Sequence, residues 1–230
     1  MHEFFASSMF FGVFISLAAY FLGVYLRRKT KIPLFHPLLV SVCLIIALLS
    51  FLKIDYSAYN QSAKMLSSLL TPATICLAVP LYNQLSLLKR HKKAIFLGVL
   101  SGVITSLVSV LALSLLFGLD HAAYVTLLPK SITTAIGMGV SQELGGHVSI
   151  TVAVIILTGI LGNMIAKTVC RIFSITDPIA RGVAIGTSSH AIGTTRAMEL
   201  GKIEGAMSSL SIVIAGVLTV AGSSVFSLFL

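Results

Sequence analysis

The chain has 230 residues, of which 57% are hydrophobic and only 10% charged, with a formal net charge of +9 and a mean hydropathy of +1.02. Soluble domains carry about 25% charged residues, so this composition excludes an ordinary globular enzyme or a nucleic-acid-binding module. Six runs contain no Asp, Glu, Lys or Arg: Phe4–Leu26, Pro33–Leu52, Met65–Leu88, Ala94–Leu119, Val148–Ala166 and Gly205–Leu230, together 138 residues. About 20 apolar residues suffice to cross the hydrocarbon core as a helix, which predicts an all-α polytopic membrane protein with about six full spans.

The first run is followed by Arg27, Arg28, Lys29 and Lys31. That charge order is the reverse of a cleavable signal peptide, so the segment is expected to be retained. Basic residues favour the cytoplasmic face, and the second such cluster is Lys89, Arg90, Lys92 and Lys93. The N-terminus is therefore expected outside, with four alternating spans bringing Asp120 outside as well. In the third run, Pro72 and Pro80 predict a kinked or cavity-lining helix, because proline frees carbonyls that neighbours must satisfy. Gly98 and Gly102 read as helix packing. Cys43, Cys76 and Cys170 lack CxxC spacing and read as small buried apolar side chains, neither disulfides nor metal ligands.

Residues 121–147 and 177–204 are poor spans. The first is broken by Pro129 and Lys130, the second by Arg196 and Glu199. The charges at Lys167, Arg171 and Arg181 put the end of the fifth run inside. The first odd segment must then enter and leave from outside, and the second from inside. The two also match at a constant offset of 56: Ala135/Ala191, Ile136/Ile192, Gly137/Gly193, Glu143/Glu199, Leu144/Leu200 and Gly145/Gly201, preceded by Ser131/Thr187 and Thr133/Ser189. The reading is an inverted-topology repeat of two re-entrant or broken helical segments. Residues 1–120 form a four-helix scaffold part and 121–230 the part with the substrate site, in one integral membrane unit.

Inverted repeats with broken helices place binding sites near the midplane, with half-helix N-termini facing anionic groups. Lys130, Ser131, Thr133, Thr134, Gly137, Ser188, Ser189, His190, Gly193, Thr194 and Arg196 are the candidate binding residues. Hydroxyls suit N-caps and glycines allow unwound backbone. Tight helix packing is the alternative for the hydroxyls and glycines, and an Arg196–Glu199 pair at i,i+3 is the alternative for Arg196. His190 reads either as the carrier of a coupled proton or as a hydrogen-bonded structural residue. Glu143 and Glu199 are expected to lock the segment tips, and Asn163 to bond between helices. No HExxH, GxSxG or acidic pair is present, so no catalysis, metal or cofactor is expected.

Leu128-Pro129-Lys130-Ser131-Ile132-Thr133-Thr134 with Ala135-Ile136-Gly137, then Ser189-His190-Ala191-Ile192-Gly193-Thr194 and Glu204-Gly205-Ala206, resemble the LrgB/CidB family over nearly the whole chain. The resemblance implies either of two functions. One is carriage of small monocarboxylates of the pyruvate, glycolate and glycerate class across the cell membrane, by alternating access around the midplane site. The other is holin/antiholin-like modulation of murein hydrolase activity and lysis. It also implies a small LrgA/CidA-type membrane partner. The lipid bilayer and a homo-oligomer, a dimer first, complete the expected partners; nucleic acid is excluded.

Overall fold

The computed structural model describes residues 10–30, 35, 37–69, 72, 75, 76 and 78–230. Glu3, Lys31, Pro33 and parts of the third run lie outside them, as does the side chain of Pro80. Among the described residues the secondary structure is helical, with no strand. The chain forms two compact units, Met1–Cys76 and Leu77–Leu230. The fourth run lies in the second of these units.

In the first unit α1 (Phe11–Thr30) packs against α2 (Pro37–Leu52) and α3 (Tyr56–Ser68). The second N–H of α1 has no partner within its own helix. It is satisfied from α3, where the Ser62 hydroxyl accepts from Gly12 N at 2.9 Å. At the other end, Gly23 lies so close to Pro37 that a Cβ would fall 2.8 Å from the Pro37 carbonyl oxygen.

Among the described residues, four helical stretches are long and apolar enough to cross a membrane: Phe11–Thr30, Lys89–Phe117, Val148–Ile172 and Lys202–Phe229. Two of the six expected spans differ. The second run yields α2, whose 16 residues reach about 24 Å, less than the roughly 30 Å hydrocarbon core. Among the described residues of the third run, α3 ends at Ser68 and a short α4 spans Ala78–Asn83. Cys43 and Cys76 are exposed, and only Cys170 is buried. Water exclusion in a bilayer does not require an apolar side chain to face protein, so lipid-facing cysteines are equally at home.

In the second unit α5 (Leu85–Phe117) absorbs the basic cluster of residues 89–93 into its first turns, with a local break at His91. Gly118, in the left-handed region at φ 62°, ends it. Asp120 then caps α6 (His121–Leu127), its side chain accepting from Ala123 N at 2.8 Å. The irregular stretch 128–133 precedes α7 (Thr134–Glu143). α8 (Val148–Ile172), α9 (Pro178–Leu200) and α10 (Lys202–Phe226) complete the unit. Asp177 caps α9 as Asp120 caps α6, accepting from Ala180 N at 2.8 Å. α9 is broken at His190, which has φ 42° and ψ −142°.

The contacts along α8 give the course of both broken segments. Near its N-terminal end the Thr151 hydroxyl meets the Thr126 carbonyl at 2.9 Å and the Ser141 hydroxyl at 2.7 Å. One turn deeper, a Cβ on Gly137 would lie 2.4 Å from the Ile155 Cδ1 and 3.5 Å from the Pro129 carbonyl oxygen. Residues 126 to 129 thus advance along α8 while 137 to 141 return. Residues 121–143 form a helical hairpin entered from the N-terminal end of α8.

The second segment makes the mirror-image course. Its first arm runs with α10, since Gly182 touches the Glu204 backbone and Gly186 the Ser208 backbone. The second arm runs against α10: Thr194 Oγ1 meets Ser208 Oγ at 2.7 Å, and Gly205 faces Met198. The chain therefore reverses at His190, and the hairpin is entered from the C-terminal end of α8. At the tip, His190 Nε2–H donates to the Ile155 carbonyl at 3.0 Å. Both tips thus reach Ile155 from opposite ends of α8.

Candidate functional site

A cavity of about 1010 Å³ lies within the second unit, bounded by α5, the first arm of α9 and the C-terminal two-thirds of α8. One end is lined by His91, Ile175 and Asp177, beside the turn that joins α8 to α9. The other end is lined by both hairpin tips, with Lys130 and Ser131 from the first and Thr187, Ser188 and Ser189 from the second. α5 adds Ser101, Thr105, Ser106 and Ser109 at helical spacing. The remaining wall is largely apolar.

Lys130 is the only lysine or arginine lining this cavity among the described residues. Its ammonium donates to Ser131 Oγ at 3.2 Å, and Ser131 Oγ lies 3.1 Å from Ser106 Oγ on α5. The Thr187 side chain is 6% exposed, and its hydroxyl has no hydrogen-bond partner. Ser131 and Thr187 are matched positions of the sequence repeat. Both residues line the same cavity, reached from opposite ends of α8, with the Thr187 hydroxyl itself buried behind its methyl.

The close approach of these elements depends on missing side chains. A Cβ on Gly162 would fall 1.7 Å from Ser189 Oγ, and one on Gly102 would fall 2.7 Å from the Thr187 methyl. Gly137 and Gly193, also matched in the repeat, act within the hairpins. A Cβ on Gly193 would lie 2.4 Å from Ser189 Cβ. Neither lines the cavity.

The other candidates sit elsewhere. Thr133 and Thr134, at the start of α7, are half-buried and outside the cavity lining. Thr194 is buried, its hydroxyl shared between the His190 carbonyl and Ser208. His190 is 3% exposed and its Nε2 proton is held by the Ile155 carbonyl. That geometry fixes the hairpin tip and leaves no route for a transported proton through that nitrogen. Asn163 Nδ2 donates to the Ile192 carbonyl and to Thr195 Oγ1, both at 2.9 Å. Glu143 and Pro72 are exposed. Ser106, Thr187 and Asp177 were not anticipated. The available signal was the row Gly98, Gly102, Thr105, Ser106 and Ser109, a small and hydroxylated face on an apolar helix.

Arg196 does not line the cavity; its guanidinium pairs with Glu199 one turn on. Glu199 is 56% exposed at the end of the hairpin, so the pair is the surface kind, which contributes little. Glu199→Gln and Arg196→Gln should each lower the melting temperature of the purified protein only slightly, and the double change should lower it no further. A large loss in Arg196→Gln alone would show that Arg196 acts through another contact.

Residues 16–229 match the model of the LrgB-like family. The antiholin-like protein LrgB of Bacillus subtilis (strain 168) is 37% identical over 220 residues, covering 95% of each chain. The proteins of the same name from Bacillus mycoides (strain KBAB4) and Bacillus cereus (strain B4264) are each 36% identical over 228 residues, covering 98% of this chain and 99% of theirs. No solved structure matches the chain. With apolar helices of spanning length and this similarity over nearly its whole length, the chain is a multi-pass membrane protein that belongs to the LrgB-like family.

Proposed function

We propose that the chain acts in the cell membrane as an antiholin-like modulator of murein hydrolase activity and lysis, together with a small LrgA/CidA-type membrane protein. The observation that carries this reading is the 37% identity, over 95% of both chains, to a protein named antiholin-like. Neither that name nor the site's residue types implies catalysis. Murein zymograms of cells that lack the chain should show raised hydrolase activity, restored by the intact chain. Unchanged zymograms would remove this role.

A second reading has its own support. A cavity with one cation, converging hydroxyls and two hairpins of opposite course is what a carrier of small monocarboxylates requires. A holin-like lesion needs oligomerisation faces and has no use for a converging polar site. In this reading the pyruvate, glycolate and glycerate class is the cargo, the N-terminus lies outside and the cavity faces the cytoplasm. Proteoliposomes separate the readings. Saturable pyruvate counterflow without dye leakage supports a carrier, whereas size-limited dye leakage or no flux at all removes it.

A further inference from the structure

We propose that the half of the cavity farthest from the hairpin tips holds one acyl chain of an anionic phospholipid, whose phosphate sits among cations at the ends of α5 and α8. Neither functional reading requires such a lipid. Along α5 the cavity runs from His91 to Ser109, a rise of about 27 Å. Its two halves differ in chemistry. In the half that begins at His91, α5 supplies Ile95 and Gly98, and α8 faces them with Leu161, Ile165 and Val169. Behind the rim residues His91 and Asp177, neither helix brings a hydroxyl or a charge to the lining before Ser101. The volume of about 1010 Å³ stands at the top of the range for drug-sized ligands, far above what a two- or three-carbon acid fills. Apolar space of this kind stays dry and takes up hydrocarbon when it is offered.

The cavity opens sideways. Leu161 and Ile165 line it yet are 55% and 51% exposed, and they continue the exposed row of Leu157 and Ile172 along α8. On the other side Leu97 and Ile104 are exposed beside the lining of α5, which itself packs on α9 and α10. The gap between α5 and α8 therefore faces lipid chains. Cations stand at its end. The stretch Lys89–Phe117 rises about 43 Å against a hydrocarbon core of roughly 30 Å, which puts its first turn at the depth of the phosphates. That turn carries Lys89, Arg90, Lys92 and Lys93, all exposed, and the last turns of α8 add exposed Lys167 and Arg171. Lys92 stands one turn before Ile95, and Lys167 one turn before Cys170, both of which line the cavity. None of these cations has an ion-pair partner among the described residues, and no acid occurs between Asp55 and Asp120. Asp177, at the rim, is engaged in capping α9. Basic clusters beside a span attract anionic lipid, and here an apolar groove leads away from the cluster. Headgroup and chain are thus held by adjoining surfaces.

The chain has no tryptophan, so a single introduced one reports on its own surroundings. Ile165→Trp replaces an exposed residue at the edge of the groove, and Val213→Trp, exposed on α10 outside the cavity, is the control. The full chain carrying either change is placed in phosphatidylcholine vesicles with added phosphatidylglycerol or phosphatidylcholine brominated on one chain. In the Ile165→Trp chain, half-quenching should need about tenfold less of the brominated phosphatidylglycerol. In the Val213→Trp chain the two lipids should quench alike. Changing Lys92, Lys93, Lys167 and Arg171 together to Gln should remove the tenfold preference, with Lys89 and Arg90 kept to hold the topology. Ala94→Phe, which narrows the groove at its rim and keeps every charge, should remove it too. Quenching of the Val213→Trp chain by brominated phosphatidylcholine shows that each variant inserts.

Equal quenching by the two lipids in the Ile165→Trp chain overturns the proposal. So does an equal preference in the Val213→Trp chain, which would mean a general annulus of anionic lipid. A preference that survives the four changes to Gln, or one that survives Ala94→Phe, overturns it from the side of the headgroup or of the chain. Glycerophosphoglycerol, the headgroup without chains, should leave the quenching unchanged. Its displacement of the brominated lipid would assign the cations to a soluble phosphodiester and overturn the lipid site.

Discussion

On the carrier reading, Lys130→Gln is expected to abolish saturable pyruvate counterflow in proteoliposomes while the protein still inserts and purifies. The reason is the charge count of the cavity. Lys130 is its only lysine or arginine among the described residues, and the wall around it is mostly apolar. An anion entering this space loses its hydration, and nothing but the ammonium and a few hydroxyls replaces it. A charge-assisted hydrogen bond is roughly twice as strong as a neutral one, so a neutral amide at 130 cannot substitute. Lys130→Arg keeps the charge in a bulkier planar fork beside Ser131 and should retain a measurable fraction of the rate. Counterflow at the unsubstituted rate in Lys130→Gln would take this residue off the path of the substrate.

Gly186→Ala is expected to be the most destabilising single methyl in the second unit. Its Cβ would fall 2.3 Å from the Ser208 carbonyl oxygen and 2.8 Å from the Ser208 Cα, both backbone atoms of α10. A side chain can turn aside from an added methyl, but helix backbone cannot. The first arm of the second hairpin must therefore lift off α10, at the upper end of the about 1–3 kcal/mol that overpacking costs. Gly139, with nothing within 4 Å of its Cβ, is the control, and Gly139→Ala should fall within about 0.5 kcal/mol of the parent. The check is thermal unfolding of the purified protein in detergent. Lifting the arm also carries the cavity-lining Thr187 and Ser188 with it. Equal melting temperatures for the two variants would mean that the arm and α10 are not in this contact.

Much of the second unit's architecture is legible in the sequence because its causes are local. Pro129 and Lys130 cannot continue a buried helix, and the structure breaks there. The 56-residue offset aligns the start of α7 at Thr134 with the break at His190. Asp120 and Asp177 cap the entering arms by the ordinary carboxylate-to-N–H bond.

What is not legible depends on which helix faces which. Arg196 has the right chemistry for an anion site, yet it sits one turn from Glu199, and a neighbour at i,i+3 reaches it before any ligand can. His190 reads as an ionisable group in a membrane, but its Nε2 is held by the Ile155 carbonyl, a partner 35 residues away. Ser106 carries no charge and no motif, and Thr187 is marked only by its match to Ser131 in the repeat. Their roles come from Gly102 and from the line of contact between α5 and the second hairpin, which no spacing within either segment specifies. The third run misleads for a simpler reason. An absence of charges satisfies a hydropathy count, but α3 begins well before that run, at Tyr56, and ends at Ser68.

The central claim is that two helical hairpins enter α8 from its opposite ends and meet near Ile155. Glu143 closes the first hairpin and Lys202 follows the second, and both side chains are exposed. Single cysteines at these two positions, in a chain without native cysteines, can be labelled in sealed vesicles with a membrane-impermeant maleimide before and after permeabilisation. The account predicts that one of the two labels only from outside the vesicle and the other only after permeabilisation. Labelling of both from the same face would contradict it.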